Sequence, residues 1–185
     1  AFTALSQDPS LFRRIHHIRP IMSEAAPIHF RKMNGLGNDF VVLDARTHPL
    51  AITEEKARAI ADRNSGVGCD QLIVLEPSKQ ADVRMRIWNN EGSEVESCGN
   101  ASRCIADLLF DEKRAIRASI DTKGGLLIAE KAGEKLVRVD NGLPRFAWQE
   151  IPLSEPFHDT RHIELQVGPI DAPHIHSPSV VNVGN

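Results

Sequence analysis

Hydrophobic and polar positions alternate over residues 28–33, which predicts a short strand. GLGN (35–38) reads as a turn, and DFVVLDA (39–45) as a second, mostly buried strand. Residues 53–63 (TEEKARAIADR) switch to a helical period. Thr53 is the N-cap candidate, Glu54 and Glu55 suit the positive helix end, and Ala57, Ile60 and Ala61 share a face. Asn64, Gly66 and Gly68 end it. Residues 72–75 form a buried strand. Over 82–88, Val83, Met85 and Ile87 point one way and Arg84, Arg86 and Trp88 the other. The turn NNEG (89–92) leads into 93–96 as a hairpin.

The clearest helix comes next. Ala101, Cys104, Ile105, Leu108 and Leu109 recur at i, i+3, i+4, i+7 and i+8, a face apolar enough to pack deep inside a sheet. Strands near 116–122, 125–131 and 135–140 are joined by KGG and AGEK, which makes an antiparallel meander. After Asn141-Gly142 the composition changes, and Pro144, Pro152, Pro156, Pro169, Pro173 and Pro178 punctuate the rest. A boundary falls within 141–152 and divides the chain into 22–145 and 146–185. The tail from about 162 to 183 holds only short strand-like runs, with His174 and His176 on one face of a strand. Strands dominate over helices, so the class is α+β.

Composition narrows the function. At 41% hydrophobic and 25% charged the chain is globular, and no apolar run reaches the roughly 18–20 residues of a membrane span. The net charge of −3 without a basic stripe argues against nucleic-acid binding. Cys69, Cys98 and Cys104 are an odd count with no CxxC pair, so neither a disulfide framework nor a zinc site is expected, and a reducing cytoplasm is the simpler setting. Two histidines without a carboxylate make a poor metal site. Residues 1–21 carry Arg13, Arg14 and Arg19 against Asp8, ahead of Met22 and MSEAAPIHF, which reads as a natural start. The segment 1–21 is read as a leader or an upstream remnant. SVVNVGN (179–185) stops in mid-run, so the chain reads as part of something longer.

Chemistry concentrates at Ser97-Cys98-Gly99-Asn100, where the apolar helix begins. The unpaired N–H groups of a first helical turn and the positive end of its dipole favour a thiolate and can hold a carboxylate. Gly99 lets a ligand approach the backbone. A buried, inert cysteine is the plainer alternative for Cys98, and it is the expectation for Cys69 and Cys104. A Cys–His hydrolase would need a distant histidine, since none lies between His48 and His158.

KMNGLGNDF (32–40), ADRNSGVGCDQ (61–71), NNEGSEVESCGNASRC (89–104) and VVNVGN (180–185) occur in the order and spacing of diaminopimelate epimerases, which the chain resembles over residues 28–185. The resemblance implies two similar domains, each a mostly antiparallel barrel-like sheet wrapped around a central helix, with the site in the cleft between them. It implies an enzyme that interconverts LL- and meso-diaminopimelate, for lysine and peptidoglycan, with two cysteines as base and acid and with neither pyridoxal phosphate nor metal. Cys98 matches the first cysteine. Gly99 and Asn100 match the residues that hold the substrate carboxylate. Asn38, Gln71, Asn89 and Asn185 match further substrate contacts. Glu91 stands where an aspartate is usual, and Ala101 where a glycine is frequent. The second cysteine, a Glu-Arg pair and the second helix are expected beyond Asn185, so residues 1–185 alone are expected to be inactive. A homodimer of the full-length protein is conceivable by the same resemblance. The alternatives are a sibling cofactor-independent racemase and a non-catalytic remnant.

Overall fold

The computed structural model describes residues 28–183. The segment read as a leader, 1–21, and Asn185 lie outside them. Compact packing divides the chain into two units, one running to Asn141 and one starting at Gly142.

In the first unit, β1 (Phe30–Gly35) and β2 (Asn38–Asp44) form a hairpin. Its turn residues, Leu36 and Gly37, both have positive φ, 51° and 90°, the backbone that a two-residue hairpin turn requires. Helix α1 (Glu54–Ala61) follows, capped by Thr53, whose hydroxyl accepts from the Lys56 N–H. Next come β3 (Gln71–Glu76), β4 (Val83–Asn89) and the short β5 (Glu94–Val95), which turns back on β4. Helix α2 (Gly99–Lys113) precedes β6 (Arg117–Thr122), β7 (Gly125–Gly133) and β8 (Leu136–Asp140). The sheet order is β1-β2-β3-β4-β6-β7-β8, with β5 off the path on β4.

Most neighbours in this sheet are antiparallel, and 116–140 folds as the expected meander. Two pairs, β2–β3 and β4–β6, are parallel. Each is the pair joined through a helix, as a parallel connection requires. The strand pattern alone could not show this, because a strand's own alternation does not report its neighbour's direction.

Helix α2 touches β1 at one end of the sheet order and β6, β7 and β8 at the other. The sheet therefore curls around it, as expected for a barrel-like sheet on a central helix. Ala101, Cys104, Ile105, Leu108 and Leu109 are all buried against the sheet. Strands β2, β3 and β4 pack on both faces. Phe40, Val42, Ile73, Leu75, Met85 and Ile87 join α2, while Val41, Leu43, Leu72, Val74 and Trp88 join Ala57 and Ala61 of α1. This two-sided burial is why DFVVLDA reads as an almost unbroken apolar run.

The second unit is sparser. Among its described residues, β9 (Gln166–Val167) and β10 (Ile175–His176) form a two-stranded ladder, and Arg145 bridges Asn182. The strand-like tail is thus mostly turns. His174 lies just outside β10, with its ring near Gly168, so the expected strand face shared by His174 and His176 does not form.

Helix α2 ends on Arg114, an exposed non-glycine residue at φ 50° whose N–H donates to the Phe110 carbonyl. A left-handed C-cap favours glycine. Arg114→Gly is expected to raise unfolding stability by about 0.5–1 kcal/mol, measured by urea denaturation. An equal loss would show that the arginine side chain matters more than the backbone.

Candidate active site

Three strand ends and one helix start meet at the same edge of the first unit. Strands β2 and β3 run parallel and begin at Asn38 and Gln71, while β4 runs back and ends at Asn89. Gln71 is the ladder partner of both Phe40 and Asn89. By the two-residue period, Asn38 continues the row of Phe40 and Val42, Gln71 that of Ile73 and Leu75, and Asn89 that of Ile87 and Met85. Those rows face α2. The three amides are the polar continuation of the core, placed where the helix begins.

Cys98 caps that helix. Its backbone is extended (φ −151°, ψ 111°), its carbonyl accepts from the Ser102 N–H at 2.9 Å, and its Sγ accepts from the Ala101 N–H at 3.5 Å. The thiol is half-buried beside the α2 core. Gly99 and Asn100 form the first turn, where helix geometry offers their N–H groups no acceptor within the helix. The preceding loop is braced by the Gly124 N–H, which donates to the Glu96 carbonyl at 3.0 Å.

The hairpin tip closes on this turn. A Cβ at Gly35 would stand 2.9 Å from Cys104 Sγ and 3.1 Å from the Asn100 carbonyl oxygen, so a side chain there would push the tip away. The Asn100 amide donates to Asn38 Oδ1 at 2.8 Å, and Gln71 Nε2 donates to Asn89 Oδ1 at 2.9 Å. The Asn38 amide donates to Asp70, the residue before Gln71, at 3.2 Å. Cys98, Gly99, Asn100, Asn38, Gln71 and Asn89 are thus brought to one edge, all of them half-buried. Asn185 lies outside the described residues.

The other cysteines are placed differently. Burial pushes the Cys69 thiol up to about 11. Burial, with the nearby Asp107 charge, pushes Cys104 up to about 12. Both are shut in the core as the sequence indicated. Among the described residues no group of three or more His, Cys, Asp or Glu side chains could hold a metal ion, and no helix is long and apolar enough to cross a membrane.

Several supporting residues went unassigned in the sequence. Asp39 sits between Lys32 (2.5 Å) and Arg63 (2.7 Å), and its Oδ1 accepts from the Asp70 N–H. Lys32 also donates to the Gly68 carbonyl. Burial alone would raise the Asp39 carboxyl, but the hydrogen bonds from Arg63 and Lys32 outweigh it and hold the group well below the usual carboxylate range. Arg103, buried one turn into α2, donates to Asn100 Oδ1 at 2.8 Å. Both Asp70 and Arg103 stand inside the quoted motifs, yet only the tertiary contacts show what they hold.

A family model described as diaminopimelate epimerase matches residues 30–147. Diaminopimelate epimerases of Rhodopseudomonas palustris (strain BisB18) and Phenylobacterium zucineum (strain HLK1) are each 48% identical, over 89% of this chain and 57% and 58% of theirs. That of Bradyrhizobium sp. (strain BTAi1 / ATCC BAA-1182) is 49% identical, over 89% and 57%. The chain therefore spans a little over half the length of these curated relatives. Among solved structures, a PhzF-family phenazine biosynthesis protein of Bacillus anthracis aligns at TM-score 0.45 and 24% identity, over 64% of this chain and 40% of that one. A hydroxyproline epimerase of Agrobacterium vitis aligns at TM-score 0.42 and 14% identity, over 54% and 36%.

Two outcomes are expected from this geometry. A thiol reagent should label one cysteine per native chain, at Cys98, and all three after denaturation; rapid labelling of Cys69 or Cys104 in the native state would contradict the burial. Asp39→Asn should cost roughly 1–2 kcal/mol at neutral pH, since the Arg63 end is half exposed and screened. Because the folded-state carboxyl is depressed, its stabilisation is present above the unfolded value near 4 and fades as the pH falls through the folded one. The variant should therefore lose less stability than the wild type between neutral pH and acid, as read by thermal melts.

Proposed function

The chain belongs to the diaminopimelate epimerase family, and from that premise we propose that it carries the first cysteine half of a cofactor-independent epimerase site acting on LL- and meso-diaminopimelate. The observation that carries this reading is the position of Cys98: it is the one cysteine of this chain that is not shut in the core, and it stands at the N-terminus of the buried helix.

Inverting an α-carbon needs a base on one face and an acid on the other. Cys98 takes one of these roles as thiolate or thiol. The Gly99 and Asn100 N–H groups hold the carboxylate next to the reacting carbon, and they stabilise the negative charge that moves onto it when the α-proton leaves. Asn38, Gln71 and Asn89 supply neutral donors and acceptors for the ammonium and carboxylate groups of a zwitterionic substrate, and Asn185 joins that set by its motif. No metal or prosthetic group is needed for this proton transfer. Residues 22–145 then make the first domain, and 146–185 the start of the second. Three free thiols suit a reducing cytoplasm.

The opposite-face cysteine cannot be Cys69 or Cys104. Both are enclosed, and their raised thiols are poor proton acceptors near neutral pH. The 185-residue chain alone is expected to leave LL-diaminopimelate unepimerised, with chiral chromatography as the readout. Conversion to the meso form above the rate of a Cys98→Ala control would overturn the two-cysteine reading.

A further inference from the structure

We propose that Asp70 and Arg103 are positioning residues that set the orientation of the Asn38 and Asn100 amides, and through them the ligand-facing edge of the site. This rests on the reading that Asn38 and Asn100 contact the substrate. Four side chains form one directed chain. Arg103 Nη1 donates to Asn100 Oδ1 at 2.8 Å, Asn100 Nδ2 donates to Asn38 Oδ1 at 2.8 Å, and Asn38 Nδ2 donates to Asp70 Oδ2 at 3.2 Å. An asparagine amide by itself can turn over and exchange its donor and acceptor sides. Here neither can. A guanidinium only donates and a carboxylate only accepts, so the two ends dictate the direction of every link between them. Turning either amide would set two donors or two acceptors face to face.

Both anchors are themselves fixed. Asp70 accepts from the Asp39 N–H at 3.0 Å and from Arg63 at 2.8 Å, and Arg103 is 7% exposed within the packed helix. The charged ends also polarise the links between them. Each asparagine is left with one N–H and one carbonyl lone pair outside the chain. A ligand that meets these two side chains is offered a donor and an acceptor on each, the complement of an amino acid's carboxylate and ammonium.

The test uses the full 185-residue chain, labelled with nitrogen-15, with the side-chain amides of Asn38 and Asn100 assigned from Asn38→Asp and Asn100→Asp spectra. In the wild type each amide should show one slowly and one rapidly exchanging proton. Asp70→Asn and Arg103→Gln replace an obligate end by a group that can both donate and accept. Asp70→Asn should shift the Asn100 amide, two links away, and Arg103→Gln should shift the Asn38 amide. Arg103→Lys keeps a pure donor and should leave Asn38 at its wild-type position. Distant amides that do not move in Asp70→Asn and Arg103→Gln overturn the proposal. If either variant fails to fold, the wild-type spectrum decides, because two rapidly exchanging protons on either asparagine overturn it as well.

A ligand arm separates this from the function itself. Titration with meso-diaminopimelate should show about tenfold weaker binding to Asp70→Asn, the scale of one lost hydrogen bond to a charged group. Alkylation of Cys98 by iodoacetamide should stay within about twofold of the wild-type rate, which a general loosening of the site would not allow. Unchanged affinity overturns the positioning role. Coupled amides together with a diaminopimelate affinity that Asn38→Asp and Asn100→Asp leave unchanged support the directed chain and overturn the substrate reading instead.

Discussion

Everything at this site depends on enclosing α2 inside the sheet. From Ala101 to Phe110 the helix is buried almost without interruption, including the polar Ser102 and Arg103. Its neighbours come from both ends of the strand order, so the sheet has no flat alternative that satisfies them. Removing one of its buried leucines would cost about 2–5 kcal/mol, a large share of what holds a domain this size together. A helix held that firmly meets solvent only at its ends. Its first turn must find partners for N–H groups that the helix itself cannot satisfy. Under the proposed function, the candidate site is the place where that requirement is met by a ligand.

Strand direction then decides what stands beside the turn. Strands β2 and β3 both start at this edge because they are parallel, and β4 ends there because it is antiparallel to β3. Reversing β2 relative to β3 would carry Asn38 to the far end of the sheet, away from Gln71. The α1 crossover that permits the parallel pair is therefore part of how the site is assembled, although α1 contributes no residue to it. The ion pairs at Asp39 strengthen the same joint: they tie β1, β2 and the chain just after α1 at the level of the amides. Gly35 completes it from the hairpin side, where the turn must lie against the Asn100 backbone.

Nearly every element of the first unit was legible in the chain, because amphipathic period and turn chemistry are local. The apolar face at Ala101, Cys104, Ile105, Leu108 and Leu109 needed no knowledge of what covers it. What the pattern could not carry was pairing. That β2 lies parallel to β3, or that the Asp70 loop reaches Asn38, depends on contacts between residues far apart in sequence. The site residues were named through motif resemblance to a family; their half-burial and their amide links are properties of the fold. Asp70 and Arg103 went unassigned because each is an ordinary charged residue until its partners are known. The second unit was the least legible. Among its described residues the apolar runs, such as Val167, Ile170 and Ile175, remain exposed, so alternation there predicted more strand than forms.

The cap itself shows which demand prevails at position 98. Serine, threonine, asparagine and aspartate are the side chains that satisfy a helix N-terminus best. A thiol is a weak acceptor, and at this start the Ala101 N–H has only the Cys98 Sγ, at 3.5 Å, where a serine or aspartate would offer it an oxygen. Judged by stability alone, cysteine is a poor occupant of a helix start on which a whole core converges. It suits instead the proton-transfer role proposed for it, which asks for a group that can exchange a proton with a ligand rather than for a strong cap. Local preference and global fold agree along the rest of α2, and a departure from that agreement is where function is expected to show. The same contrast separates Cys98 from Cys104, which lies behind it on the same helix. There a small apolar side chain fits against Gly35, burial keeps the thiol protonated, and packing accounts for the residue completely.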